Sequence, residues 1–246
     1  SEATQRAARM IYAQDFCKMI QKQKLRDRFL NKGRSSRKRQ KCGGNGVSFI
    51  VRKRSIQETE IDNGDYDIVN AETSDAQGVI VYETKVLSDL NAKELVPHSF
   101  RCNEVISDYQ TTDDLYARAA KPLVGIAEKG GFATIIMCGG DEPGKVENRS
   151  AIEGHLVNDI FNQEADSKRV TVQYVELTGK HCYDLLSPGS FVQVIDKEGG
   201  YFQLEGAKTE TIHSGHDMTR MFSSAKRRLA SRTNVRKHRD EKSFIM

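Results

Sequence analysis

Residues 139–146 read Gly-Gly-Asp-Glu-Pro-Gly-Lys-Val, a glycine-rich turn lying between an apolar run and a helical pattern. No other stretch constrains the fold as strongly. In G-x-x-x-x-G-K-[S/T], backbone N–H groups cradle phosphates, the lysine neutralises them, and the last hydroxyl holds Mg²⁺. Gly139, Gly144 and Lys145 match this pattern. Val146 stands where the hydroxyl belongs, and an isopropyl group cannot ligate a hard cation. Ahead of the turn, Gly131-Phe-Ala-Thr-Ile-Ile-Met-Cys138 is short, apolar and β-branched, which predicts a buried parallel strand. Behind it, Ala151–Phe161 places Ile152, Leu156, Ile160 and Phe161 on one helical stripe. Taken alone, the turn is equally readable as a surface loop before a helix. A strand, a glycine loop and a helix in that order favour a phosphate-loop unit in an α/β domain.

Length and composition narrow the choices. With 246 residues the chain is long enough for one α/β domain with a tail. Mean hydropathy is −0.60 and 29% of residues are charged. No apolar run reaches the ~18 residues that span a bilayer, and no signal-peptide core is visible, so no membrane partner is expected. The five cysteines are scattered without a C-x-x-C pair, which suggests neither a zinc site nor a disulfide framework. A reducing, cytoplasmic setting follows. The six histidines lack ligand spacing, so no metal site is expected. The chain opens at Ser1, and is expected to be a processed or partial piece of something longer.

Charge is unevenly placed. Net charge is +4, yet residues 22–41 hold ten Lys or Arg and one acid, Asp27. Such a block suits a polyanion: nucleic acid, an anionic membrane, or the acidic surface of a tubulin polymer. A solvated linker is the plain alternative. Nothing here has the aromatic pattern of an RNA-binding module, so nucleic acid is the weaker expectation.

Along the chain, residues 1–30 predict a helix with an imperfect stripe of Ala8, Ile11, Phe16, Ile20 and Phe29. Cys42-Gly-Gly-Asn-Gly46 breaks the pattern. It divides a basic helical neck-like segment, 1–45, from a domain over 46–246. Strands are predicted at Val47–Val51, Tyr66–Val69, Gly78–Tyr82 and Val170–Leu177. A hairpin is predicted from Phe191–Ile195 and Tyr201–Leu204. Helices are predicted at Asp113–Ala127, despite Pro122, and at His216–Ser231, with Met218, Met221, Phe222 and Leu229 inward.

In this order the motifs resemble a kinesin motor domain, most closely the kinesin-13 family. Val51-Arg-Lys-Arg-Ser55 resembles V-R-K-R-P. Phe100-Arg-Cys-Asn103 lies where F-x-F-D is expected. Tyr116 and Pro122-Leu-Val124 match the helix before the loop strand. Tyr174-Val-Glu-Leu-Thr-Gly-Lys180 with Asp184-Leu-Leu186 resembles E-I-Y-x-G-K-x-x-D-L-L. Asn234-Val-Arg-Lys-His-Arg-Asp-Glu241 falls at the switch I motif. The resemblance covers about residues 46–246. It implies a kinesin-like P-loop fold, with a mostly parallel central sheet flanked by helices, preceded by the basic N-terminal helix. It also implies a degenerate nucleotide site formed by Arg52, Arg54, Gly139, Gly144, Lys145, Asn234 and Arg239. The part after switch I, including D-L-A-G-x-E, is expected to be absent.

The departures from the family pattern fall on the chemistry. Ser55 and Cys138 replace the proline and tyrosine that hold adenine, which reduces the stacking surface. Glu142 adds negative charge beside a triphosphate, and Pro143 removes a backbone donor. In switch I, Lys237, His238 and Asp240 stand where serines meet Mg²⁺ and the γ-phosphate. Phosphoryl transfer is largely positioning and electrostatics, so several losses at one site argue against turnover. ATP or ADP with Mg²⁺ is expected as a cofactor only if the altered loop still binds it. Glu176 and Asp184 read as structural acids, and no catalytic residue is assigned.

The same resemblance implies surface contacts. The kinesin-13 neck contacts the microtubule, and here Lys22, Lys24, Arg26, Arg28, Arg37, Lys38, Arg39 and Lys41 are similarly placed. Thr84-Lys85-Val86-Leu87 resembles the polymer-end K-V-D loop, with Asp89 late, which makes Lys85 a candidate contact. Lys197 and Lys208 are candidates near a tubulin-facing loop. The expectation is a catalytically inactive kinesin-13-like protein. It would bind microtubules or other cytoskeletal proteins as a structural module of the cytoplasmic cytoskeleton, a cilium or axoneme included. The alternative is an atypical ATP-dependent depolymerase or motor, and a nucleic-acid-binding protein is a third reading.

Overall fold

The computed structural model describes residues 2–31, 46–71, 78–87, 92–140, 143–161, 169–179, 181–197, 201–236 and 243–245. By their internal contacts, Ser1–Arg149 and Ser150–Met246 form two compact units. The N-terminal helical segment is part of the first unit.

That helix is two helices, α1 Glu2–Ile11 and α2 Ala13–Asn31, meeting at Tyr12. Only part of the apolar stripe faces inward. Phe16 and Ile20 are buried, one turn apart on α2, whereas Ile11 and Phe29 are exposed. Phe16 stacks on Tyr66, with centroids 6.0 Å apart. Polar contacts flank this anchor. Asp15 pairs with Lys93, Lys24 Nζ with Asp67 at 2.9 Å, and the buried Tyr82 hydroxyl donates to Asp27. Burial first, and then the Asp27 hydrogen bond, push the Tyr82 phenol well above its ordinary range. Asp67 also accepts from Lys53 at 2.7 Å, and Lys53 reaches Asp108 at 3.2 Å. Burial works against the Lys53 ammonium, but the two carboxylates outweigh it and its pKa is raised.

The rest of this unit is short strands and helices: β1 Ile50–Arg52, α3 Glu58–Asp62, β2 Val69–Asn70, β3 Gly78–Val86, β4 Lys93–Arg101 and β5 Glu104–Ile106. β2, β3 and β4 form an antiparallel sheet, with Gly78 opposite Arg101 and Val86 opposite Lys93. β1 and β5 pair in parallel. Ala71, Val79, Cys102 and Val105 make the small core between them.

The helix predicted through Pro122 exists as α4 Thr112–Leu115, a π-helical turn Tyr116–Ala120, and α5 Lys121–Glu128. A proline cannot donate to the ladder, and a widened turn just before it absorbs the mismatch. α5 ends in a left-handed Gly130 (φ +79°), with Gly130 N–H donating to Ala127 O (2.9 Å) and Gly131 N–H to Ile126 O (3.0 Å). This is the Schellman closure. A Cβ at Gly131 would sit 2.7 Å from Ile126 Cγ2, so this position requires glycine.

α6 Pro143–Phe161 leads into the second unit. There, β6 Val170–Val172, β7 Val175–Thr178, β8 His181–Asp184, β9 Phe191–Lys197, β10 Tyr201–Glu205, β11 Glu210–Ile212, α7 Gly215–Arg236 and β12 Ser243–Ile245 follow. The single strand predicted at 170–177 is broken at Gln173-Tyr174, because β6 pairs with β11 while β7 pairs with β8 and β12. The predicted β9–β10 hairpin is present. The five strands β10-β9-β8-β7-β12 pair antiparallel throughout. Among the described residues, parallel pairing is confined to β1–β5, so the mostly parallel sheet of the expectation is seen only there.

α7 buries Met218, Met221, Phe222 and Ala225 against Leu185, Leu186, Tyr174, Val157 and Ile212. Ser214 caps its start, its Oγ accepting from Asp217 N–H at 3.1 Å. A Cβ at Gly215 would lie 3.0 Å from Val157 Cγ1, so the helix start packs closely on α6. The acids of the two sequence motifs serve the fold. Asp184 accepts from Leu186, Ser187 and Lys208 N–H groups (2.6, 3.1 and 2.7 Å), pinning the Asp-Leu-Leu turn. Glu176 is fully buried and takes Arg232 Nε at 2.8 Å.

Candidate functional site

The phosphate-loop region lies in the first unit. Its leading segment, 131–140, is the main correction to the strand reading. These ten residues have no ladder partner among the described residues, and all are exposed, Phe132 by 88% and Ile136 by 80%. The β-branched composition is that of a doubly covered strand, but composition supplies no neighbour, and an extended segment becomes a strand only by pairing. The chain then passes Gly139 and enters α6 at Pro143; Asp141 and Glu142 lie outside the described residues. Pro143 opens the helix, where its missing N–H costs nothing.

Within the loop, Lys145 Nζ donates to Gly139 O at 3.2 Å. Val146 is 52% exposed and offers no oxygen to a divalent ion. The stem of Arg54 lies against the helix start, 3.5 Å from where a Cβ would stand on Gly144. So four of the residues assigned from the sequence, Arg54, Gly139, Gly144 and Lys145, do lie together. The guanidinium of Arg54 is held in a bidentate pair with Glu60, Nη1 to Oε2 at 2.7 Å and Nη2 to Oε1 at 2.5 Å. Arg52 spends its donors on backbone, reaching Ser107 O and, at 2.8 Å, Gln110 O. Asn234 falls on the last turns of α7, which continues through Arg236 where a switch loop was expected, and Arg239 lies outside the described residues.

Glu60 is the site residue that sequence reading missed. Gln57-Glu58-Thr59-Glu60 has capping-box spacing, and Gln57 N–H donates to Glu60 Oε2 at 2.8 Å. Arg54 first, and then this N–H, hold its carboxyl at about 2, against an ordinary 4.5. A pKa lowered by folding gives stability that is present above 4.5 and lost as pH falls towards 2. Carboxyl chemical shifts should therefore show Glu60 still ionised at pH 3.5 while ordinary glutamates are mostly protonated. A midpoint above about 4 would mean the clamp is not populated.

The basic surface divides in the same way. Lys22, Arg26 and Arg28 are exposed on α2, and Lys24 is committed to Asp67. Arg37, Lys38, Arg39 and Lys41 lie outside the described residues. Lys85 is near the end of β3, opposite Glu94 and 3.3 Å from Glu83, while Asp89 lies outside the described residues. Lys197 ends β9, and Lys208 Nζ is 3.4 Å from Glu210. Among the described residues, no cluster of His, Cys, Asp and Glu has the makings of a metal site, and no helix is long and apolar enough to cross a membrane.

Comparison with known proteins agrees with the motif order. A diatom spindle kinesin-1 of Cylindrotheca fusiformis is 25% identical over 186 residues, covering 70% of this chain and 29% of its own. Kinesin-like protein KIF24 of Mus musculus is 28% identical over 152 residues, covering 57% of this chain and 11% of its own. Kinesin-like protein KIN-13A of Oryza sativa is 24% identical over 164 residues, 64% of this chain and 19% of its own. The chain thus spans less than a third of each curated relative. The solved structure of a fast kinesin matches the fold with a TM-score of 0.62 at 18% identity, over 74% of this chain and 53% of that one. The kinesin motor-domain model itself matches residues 52–243, from the arginine of β1 to the last strand, and on that extent the chain belongs to the kinesin motor-domain family.

Proposed function

We propose that this protein is a kinesin-family module that binds the microtubule surface without turning over ATP, as a structural part of a cytoskeletal assembly such as an axoneme. The observation that carries this reading is the phosphate loop itself. Position 146 offers an isopropyl group where a metal-binding oxygen is needed, and Lys145 folds back onto Gly139 O. The remaining groups do not fit a Mg²⁺–triphosphate, because Arg54 and Arg52 are already bonded to Glu60 and to backbone carbonyls. The segment leading into the loop is exposed, so the backbone donors that must be preorganised for phosphate are not braced by a sheet. On the binding side, α2 presents Lys22 and Arg26 outward from a helix whose other face is anchored. A fixed row of cations loses little entropy on meeting an acidic polymer.

The test is microtubule co-sedimentation of the 1–246 chain with ATP, with ADP and without nucleotide, alongside an ATPase assay. Equal pelleting in all three and no microtubule-stimulated hydrolysis are expected. Replacing Lys22 and Arg26 by glutamate should lower pelleting, more at low salt than at high salt. Nucleotide-dependent pelleting, or tubulin release with ATP, would favour an atypical depolymerase instead.

A further inference from the structure

A groove of about 640 Å³ runs between α1, α2 and the turn after α3. Its volume lies within the roughly 300–1,000 Å³ typical of ligand sites. Met10, Ile11 and Ile61 line it and are 51%, 77% and 55% exposed, so its apolar walls face solvent. Along α2 the surface continues past the groove with Leu25 and Phe29, 53% and 70% exposed. A row of exposed cations, Lys18, Lys22 and Arg26, follows at four-residue intervals beside these apolar groups. Such a row spans about 12 Å, two turns of a helix. Asp65 is the one carboxylate in the groove lining.

We propose that this face docks an acidic amphipathic helix of a partner protein. The apolar side chains of that helix, spaced i, i+3/i+4, i+7, enter between Met10, Ile11 and Ile61 and run on over Leu25. Its flanking carboxylates meet Lys18, Lys22 and Arg26. Charge selects this occupant over two others. A second copy of this chain would bring the same cations against these. The adjoining stretch 32–45 carries six Lys or Arg and no acid, so it adds to the positive field and cannot neutralise it. The platform is rigid where it must be, because Phe16 and Ile20 are buried beneath it and Asp15 and Lys24 are tied to Lys93 and Asp67. The inference is independent of the nucleotide reading, since none of these residues belongs to the phosphate loop.

The experiment uses two fluorescent peptides of about 18 residues, long enough to sample helix. One is a Glu/Leu helix with leucine at i, i+3, i+4, i+7, and the other has the same charge with serine for leucine. Anisotropy titration of the 1–246 chain should show the leucine peptide bound at least about tenfold more tightly. Ile61→Asp should remove most of that preference, and Lys18→Glu with Lys22→Glu and Arg26→Glu should weaken both peptides. All four sites are exposed, and circular dichroism checks that the variants stay folded. Equal binding of the two peptides, binding of neither, or indifference to Ile61→Asp would overturn the proposal. So would a loss of microtubule pelleting by Ile61→Asp as large as its loss of peptide binding, which would make the polymer itself the occupant.

Discussion

Phe16→Ala is expected to destabilise the first unit by about 3–5 kcal/mol, the range for truncating a fully buried phenylalanine. Phe16 is 0% exposed, and its neighbours approach from α2 and from the Tyr66 ring. The polar contacts at the edges of α2 cannot make up the loss. The Asp15–Lys93 and Lys24–Asp67 pairs keep a quarter to a half of their side chains in water, and pairs of that kind contribute about 0–1 kcal/mol each. Phe16 and Ile20 therefore hold the helix, while the charged groups fix its register. The chain has no tryptophan, so urea unfolding is best followed by circular dichroism. Amide exchange along residues 13–31 should rise in the variant, because the helix opens before the rest of the unit. A loss below about 1 kcal/mol would mean that α2 is anchored elsewhere. If α2 makes the microtubule contact proposed for it, undocking should also weaken pelleting, since Lys22 and Arg26 would no longer be presented by a fixed helix.

Arg232→Ala is expected to cost the second unit about 3 kcal/mol, the lower end of the range for breaking a buried ion pair. Glu176 is completely buried, and its partner keeps about a third of its side chain in solvent. The alanine variant removes the Nε donor at 2.8 Å and the guanidinium that lies 3.7 Å above the Tyr183 ring. A buried carboxylate that loses a charged donor is left less well solvated than before. Replacing both Glu176 and Arg232 by leucine should cost less than the single change, because no stranded charge remains. Thermal melts of the three variants separate these cases. A double variant worse than the single would show that packing, not charge, sets the effect.

Where the sequence was legible, the signal was local. Period-3.6 burial placed Met218, Met221 and Phe222 inside α7, and the turn chemistry around Asp196–Gly200 marked the β9–β10 hairpin. The family was readable because its motifs keep their order, from Arg52 to the Asp-Leu-Leu turn. The loop chemistry was readable too, since Val146 lacks a hydroxyl in any fold.

What failed was whatever depended on a distant neighbour. Gly131–Cys138 has the composition of a core strand, but strands are made by pairing, and pairing is a property of other segments. The apolar residues of 170–177 could not reveal that two different partners divide them at Gln173. A basic stripe does not say which cation is spent internally, and Lys24 is bonded to a carboxylate forty-three residues away. The Arg54–Glu60 clamp is only six residues long, yet the extended chain between the two must turn into α3 before the carboxylate can face the guanidinium.

The sequence by itself determined the family, the missing metal ligand and the amphipathic helices, because these follow from side-chain chemistry and from spacing within one element. Tertiary structure alone decided which charges are available and which are paired, where the N-terminal helix α2 docks, and whether the segment before the phosphate loop is a strand. Those outcomes depend on desolvation and on hydrogen-bond partners brought together from far along the chain, and no local pattern encodes the distance between them.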